Sequence, residues 1–309
     1  MTQTAHSVPV TPSQPDWATA CLNCGAPVAG SFCSACGQRV VPPHPTTKEL
    51  VGDAYGELVG WDGKFARTLR LLLAHPGALT RAVIEGRRNS YVRSVRLYLL
   101  CSVLYFLVQA GAPLPDISES FDVGFGVDVG MSESPTPGEA AFAKAIVQGT
   151  TSLTPAERAE LDREIEAQPW LFRGMFRAMA EDYRGLSRRA SETIPRVLFI
   201  LIPALAAVLA LFYRGRHYPE HLYFALHFGA FVFLVLTLEA LGLYTRSLIV
   251  AAAVQVIGVL VIVVYGVVAQ RRVYGGSWLA TGAKALGVSV IYGALWSSAV
   301  LAVTLWASR

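Results

Sequence analysis

Charged residues are scarce in this chain. They make up 16% of the 309 residues, whereas 53% are hydrophobic, and the mean hydropathy is +0.43. A typical soluble domain carries about a quarter charged residues. This composition therefore excludes an ordinary water-soluble protein with one core. The formal net charge of +4 does not by itself indicate a nucleic-acid partner.

Catalytic motifs are also absent from the sequence. It has no phosphate-binding Gly-rich loop, no G-x-S-x-G, no H-E-x-x-H and no dinucleotide fingerprint, and no spacing selects a Ser/His/Asp triad. We therefore favour a non-enzymatic role and keep an enzyme acting on lipids as an alternative. The first 20 residues lack an apolar stretch, so we expect a disordered segment 1–20 and no secretory signal.

Two identical cysteine motifs follow that segment. Each is C-x2-C-G, and eight residues lie between the second cysteine of the first motif and the first cysteine of the second. Four thiolates complete a tetrahedral Zn²⁺ site with no open position for chemistry, and cysteines in a reducing cytosol bind metal more readily than they form disulfides. We predict one structural zinc in a ribbon spanning 21–39, with a redox dithiol or an empty site as the alternatives. The predicted ligands are Cys21, Cys24, Cys33 and Cys36.

Long apolar runs dominate the rest of the chain. We predict an all-α, polytopic transmembrane bundle over 94–309, with a loop and helices inserted at 112–193. If the first apolar run is re-entrant or interfacial, four spans remain and the inserted segment is cytoplasmic. The five predicted spans are about 95–111, 194–213, 222–244, 247–269 and 285–307.

Residues 40–93 are predicted to form a stiff linker followed by basic amphipathic helices, roughly 65–74 and 76–85. Basic, amphipathic helices next to a span favour a position on an anionic inner leaflet, although solvated arginines on a small helical domain are the alternative. The arginine and lysine distribution predicts a cytoplasmic N-terminus for an inner-membrane protein.

Two histidines at the entry to the predicted third span and a glutamate near its other end are ionisable, and such groups are costly in a membrane. A transporter or channel would use His221, His227 and Glu239 to carry protons or a cation. His221 and His227 are six residues apart, about 240° around a helix, so they do not share a face. We therefore favour interhelical hydrogen bonds and headgroup contacts for these residues, with transport as the alternative function.

Four segments in this order resemble a family of bacterial multi-pass membrane proteins of unknown function. They are CLNCG with GSFCSACGQ, WDGKFARTLRLLLAHPGALTRAVIEGRRNSYVRSVRLYLL, YPEHLYFALHFGAFVF and RRVYGGSW. The resemblance implies a helical integral membrane protein with a zinc ribbon, and it implies no activity.

These observations together predict an anchoring or interaction protein. Its expected partners are the lipid bilayer and a cytosolic protein that binds the ribbon, and a homo-oligomer stays open. Nucleic acid is disfavoured as a partner because residues 21–38 contain no lysine or arginine.

Overall fold

The computed structural model describes residues 20–28, 31–39, 64–111, 136–245 and 247–308. Helices account for 79% of these residues, and the only extended pairing among them is two isolated β-bridges, so the all-α prediction is confirmed. The expectations for residues 1–19 and for most of the linker lie outside the described residues.

The helices are α1 Lys64–Ala74, α2 Ala78–Ile84, α3 Ser94–Gly111, α4 Pro137–Gln148, α5 Pro155–Ala167, α6 Trp170–Phe212, α7 Tyr218–Leu243, α8 Leu248–Tyr274 and α9 Trp278–Ala307.

Four helical segments are long and apolar enough to cross a membrane. They are Gly185–Phe212 in α6, Tyr218–Gly242 in α7, Ile249–Tyr274 in α8 and Trp278–Ala307 in α9. The structure thus agrees approximately with the predicted span count. The first predicted span corresponds to α3. This apolar helix has 18 residues and is shorter than the four segments named above.

The described residues belong to two compact units. The first unit draws on Met1–Tyr105, Tyr213–Val235 and Val259–Gly282, and the second on Phe106–Phe212, Leu236–Gly258 and Ala283–Arg309. The first unit therefore contains the cysteine motifs, α1, α2 and both buried histidines. The predicted domain limits stay predictions.

In the first unit, α1 and α2 form a hairpin around the turn His75–Pro76–Gly77. Proline cannot continue α1, and Gly77 has a φ of 74°, a left-handed conformation that suits glycine. The face of α2 that carries Leu79, Thr80, Ala82 and Val83 is buried. These helices were predicted to lie on a lipid surface, but protein covers this face of α2.

A glycine-terminated Schellman motif ends α2. The N–H of Arg87 donates to the Ala82 carbonyl (3.0 Å) and the N–H of Gly86 donates to the Val83 carbonyl (3.2 Å). Gly86 adopts a φ of 95°, as the left-handed position of this motif requires. The chain then turns sharply into the loop 87–93 that leads to α3.

In the second unit, α4, α5 and the start of α6 share a small core around Phe142, Leu161 and Ile165. A capping box at Thr154 and Glu157 opens α5. A second capping box, at Thr136 and Glu139, opens α4. Both helices begin with the same Thr-Pro-x-Glu pattern, so the same signal was available at both places.

Candidate metal centre and buried histidines

The two cysteine motifs adopt the same turn. The N–H of Gly25 donates to the Cys21 carbonyl and the N–H of Gly37 donates to the Cys33 carbonyl, both at 2.8 Å. Both glycines have positive φ, 76° and 71°, so each turn closes without a side-chain clash. The repeated backbone presents the two sulfur atoms of each motif on one side of its turn.

The four Sγ atoms lie within 4.8 Å of one another. The Cys21–Cys36 and Cys24–Cys33 sulfur pairs are each 3.6 Å apart. A tetrahedron with Zn–S bonds of about 2.3 Å has edges of about 3.8 Å, so this donor set fits zinc. All four cysteines are free thiols, and Cys24 is the exposed member of the set.

The metal-free thiols compete for protons. Desolvation opposes ionisation of Cys36, but the Gln38 backbone N–H and the Asn23 side chain outweigh it, and the pKa of Cys36 is lowered to about 7. The Ala26 backbone N–H favours ionisation of Cys24, but desolvation and the neighbouring thiols raise its pKa to about 12. A divalent cation removes this competition because it displaces the protons and neutralises adjacent thiolates.

The ribbon residues are fastened to the loop that follows α2. Gln38 Nε2 donates to the Gly86 carbonyl (2.8 Å), and the Asn89 backbone N–H donates to Gln38 Oε1 (3.1 Å). The Asn89 side chain donates to the Cys36 carbonyl, and Ser90 Oγ donates to Asn23 Oδ1 (2.7 Å). The backbone of the metal-binding turn therefore takes part in the attachment.

Leu22, from the first cysteine motif, packs on the Schellman glycine. A Cβ added to Gly86 would lie 2.8 Å from both Cβ and Cδ1 of Leu22. Only a residue without a side chain lets the ribbon approach this closely, so Gly86 serves both the helix end and the contact.

Side chains of α7 and α8 hold the α1–α2 hairpin. Tyr265 Oη donates to the Leu72 carbonyl (2.8 Å), and Arg272 donates to the Pro76 carbonyl (2.8 Å). A buried hydrogen bond of 3.0 Å joins Thr80 Oγ1 to His227 Nδ1. The hairpin is therefore attached near the end of α1, at its turn and within α2.

The two predicted histidines are both buried but have different partners. His227 binds Thr80, whereas His221 Nδ1 lies 2.9 Å from Tyr274 Oη. The Nε2 atoms of both rings are buried and have no hydrogen-bond partner among the described residues. Each ring thus bonds a residue of a different helix, Thr80 of α2 and Tyr274 of α8.

Glu239 belongs to the second unit, unlike the two histidines. Its Oε1 atom is buried without a hydrogen-bond partner among the described residues, and it lies 1.8 Å from the position that a Cβ on Gly258 would occupy. Gly258 thus leaves space for this carboxyl group. The assignment of all three residues to a functional site stays a prediction.

Sequence reasoning did not identify the residues that fasten the hairpin and the ribbon. One local signal was available: a polar residue within the apolar face of a helix needs a buried hydrogen-bond partner. Thr80, next to Leu79 in α2, is such a residue. The other residues carry no comparable local pattern. They are Gln38, Asn89, Ser90, Tyr265 and Arg272.

No curated protein and no solved structure matches the chain. Residues 62–106 match the model of a family described as a protein of unknown function, DUF3667. The matched segment contains α1, α2 and the loop that contacts the ribbon. This match and the four-cysteine cluster fit a family without an assigned function.

Proposed function

We propose that this chain is a non-enzymatic anchoring protein of the bacterial inner membrane, with a structural zinc ribbon held in the cytosol against its membrane helices. The observation that carries the proposal is the set of hydrogen bonds from Gln38, Asn89 and Ser90 that joins the cysteine motifs to the loop after α2. A ribbon fixed in this way is a rigid platform for a cytosolic protein.

Apolar exposure supports the membrane position. In the most apolar 18-residue windows of α8 and α9, only 17% and 11% of residues are buried, compared with 56% in α7. An exposed apolar surface of this kind is unfavourable in water and suits hydrocarbon.

The charge distribution supports the orientation. Over its described residues, the first unit carries thirteen arginines and lysines against two glutamates, whereas the second carries ten of each sign. Positively charged segments near spans favour the cytoplasmic side. The ribbon lies in the first unit, so this reasoning puts the cysteines in the compartment where thiols stay reduced.

Zinc would be held by the four cysteines and would supply a structural cross-link rather than a reactive centre. The ribbon has little other means of holding its shape, because its buried apolar residues are two of those cysteines, Cys21 and Cys33. Segments this short usually need a metal or disulfides to fold.

The experiment is the metal content of the detergent-purified protein. Wild type should contain about one zinc per chain, and Cys33→Ser/Cys36→Ser should contain none. Cys101→Ser is the matched control because this buried cysteine lies in α3, outside the ribbon, and should leave the zinc in place. Thiol reagents added to intact cells and spheroplasts should leave the ribbon unlabelled. Absence of zinc, or labelling from outside, contradicts the proposal.

Transport of a proton or cation is the second candidate. The buried, unpartnered atoms of His221, His227 and Glu239 favour it, because polar groups of this kind in a membrane often mark ion paths. In proteoliposomes with an internal pH dye, Glu239→Gln should abolish a flux that Glu166→Gln, at an exposed carboxylate on α5, retains. A wild-type flux equal to that of empty liposomes eliminates this candidate.

A further inference from the structure

We propose that the ribbon is a metal-dependent latch: metal bound by the four cysteines keeps the loop after α2 and the end of α2 ordered, and metal loss releases both. The inference deepens the proposed function and rests on it, since it requires the ribbon to bind metal. It adds a regulatory role to the contacts that hold the ribbon in the proposed function.

The first step concerns what metal loss does to the ribbon. Residues 20–39 contain two isolated β-bridges and two turns closed by backbone hydrogen bonds, and Leu22 and Phe32 are exposed apolar side chains. The described residues of this segment, 20–28 and 31–39, form no apolar core that could retain its shape once the sulfur atoms are uncoupled. Metal loss should therefore unfold both turns.

The second step follows the contacts from the turns to the loop. The Cys36 carbonyl accepts a hydrogen bond from the Asn89 side chain, and Asn23, between the first two cysteines, accepts one from Ser90. Gln38 bonds both Gly86 and Asn89. Because these groups lie within or next to the metal-binding turns, unfolding of the turns breaks every one of these bonds.

The third step concerns how far the release extends. The earlier part of the hairpin is held independently by Tyr265, Arg272 and His227. Beyond Thr80, α2 is held by the buried Ala82 and Val83 side chains, and its last turn ends in the Schellman motif against Leu22 of the ribbon. The effect should therefore be greatest over 82–90 and small in α1.

The site is also reachable. Cys24 is exposed, whereas Cys21 and Cys33 are buried, so an aqueous chelator can approach the metal from one side. A ligand exposed to water makes the bound metal exchangeable, and a latch requires this property. The Asn89 backbone N–H is a direct reporter because its acceptor is Gln38 of the ribbon.

The test is hydrogen exchange of the full-length protein in detergent, with zinc bound and after removal by a chelator, alongside the measured zinc content. The four hydrogen bonds of the second step change an opening equilibrium by about thirtyfold or more in total. Chelation should therefore accelerate exchange over 82–90 by at least about thirtyfold, whereas α1 should change little.

Gln38→Ala separates the latch from metal binding. This variant should retain zinc, and with zinc bound it should exchange over 82–90 faster than wild type but more slowly than chelated wild type, because the Asn89–Cys36 and Ser90–Asn23 bonds remain. Ser34→Ala is the matched control, at an exposed position in the second cysteine turn, and should behave like wild type. The latch is wrong if chelation accelerates exchange in the ribbon but not over 82–90. A chain without zinc instead refutes the proposed function on which the latch rests.

Discussion

Gly77→Ala is the most informative single change in the hairpin. Gly77 has a φ of 74°, and a Cβ there would lie 2.8 Å from the Ala269 carbonyl oxygen, 3.0 Å from Ala269 Cα and 3.2 Å from Val273 Cγ2. Two of these atoms belong to the backbone of α8 and cannot rotate away. The hairpin would therefore have to move as a whole.

Two contributions to the loss of stability can be separated. A left-handed conformation at a non-glycine residue costs about 1–2 kcal/mol, and overpacking against a fixed backbone costs about 1–3 kcal/mol more. Gly275→Ala isolates the first contribution, because Gly275 has a φ of 76° and no atom within 4 Å of an added Cβ. Gly77→Ala should therefore lower the free energy of unfolding by about 1–3 kcal/mol more than Gly275→Ala.

The assay is reversible unfolding of both variants and wild type in mixed micelles, with hydrogen exchange over 64–84 as the local readout. Exchange in the hairpin should accelerate in Gly77→Ala and stay near the wild-type rate in Gly275→Ala. Equal stabilities for the two variants would show that the turn does not lie against α8, and the account of hairpin docking would then be wrong.

Three further changes test separate parts of the structure. Tyr265→Phe leaves a helix carbonyl of α1 without its donor and should cost about 1–3 kcal/mol in an unfolding titration, whereas Tyr244→Phe, at an exposed hydrogen bond, should cost less. The Lys144 ammonium group, with the Thr154 cap, lowers the pKa of Glu157 to about 2 from 4.5. This carboxylate therefore stabilises the fold above about pH 4.5 and loses that effect as the pH falls towards 2, and Lys144→Met should flatten the pH dependence of the melting temperature in that range. Gly282→Ala, in α9 with open space around the added Cβ, should stabilise the protein by up to about 1 kcal/mol, measured by thermal unfolding.

The sequence was most informative where a local pattern determines the structure. Four cysteines at fixed spacing predicted a cluster that the structure forms, because each C-x2-C-G turn closes with backbone bonds of its own. The apolar runs predicted helices for a similar reason, since length and composition decide whether a helix can cross a bilayer. The capping box at Thr154 also depends only on neighbouring residues.

The sequence was least informative where distant segments meet. Thr80 and His227 are 147 residues apart, and Tyr265 and Leu72 are 193 residues apart. Each of these residues is unremarkable in its own segment, so the pairings follow from tertiary packing alone. The amphipathic pattern of α2 led to the expectation that it lies on lipid. Such a pattern shows that one face of a helix is buried, but it does not show what buries that face.

The α1–α2 hairpin is bonded to α8, a helix long and apolar enough to cross a membrane. The last carbonyls of a helix have no partner within it, and in α1 the Leu72 carbonyl accepts a hydrogen bond from Tyr265 of α8. The Pro76 carbonyl in the turn accepts one from Arg272. One end of the hairpin therefore accepts hydrogen bonds from α8, and the carbonyl of Gly86, after the other end, accepts a hydrogen bond from Gln38 of the ribbon. In the proposed latch, a change that begins at the cysteines would therefore reach the end of α2 first, and Thr80 is the point at which α2 meets His227 of α7.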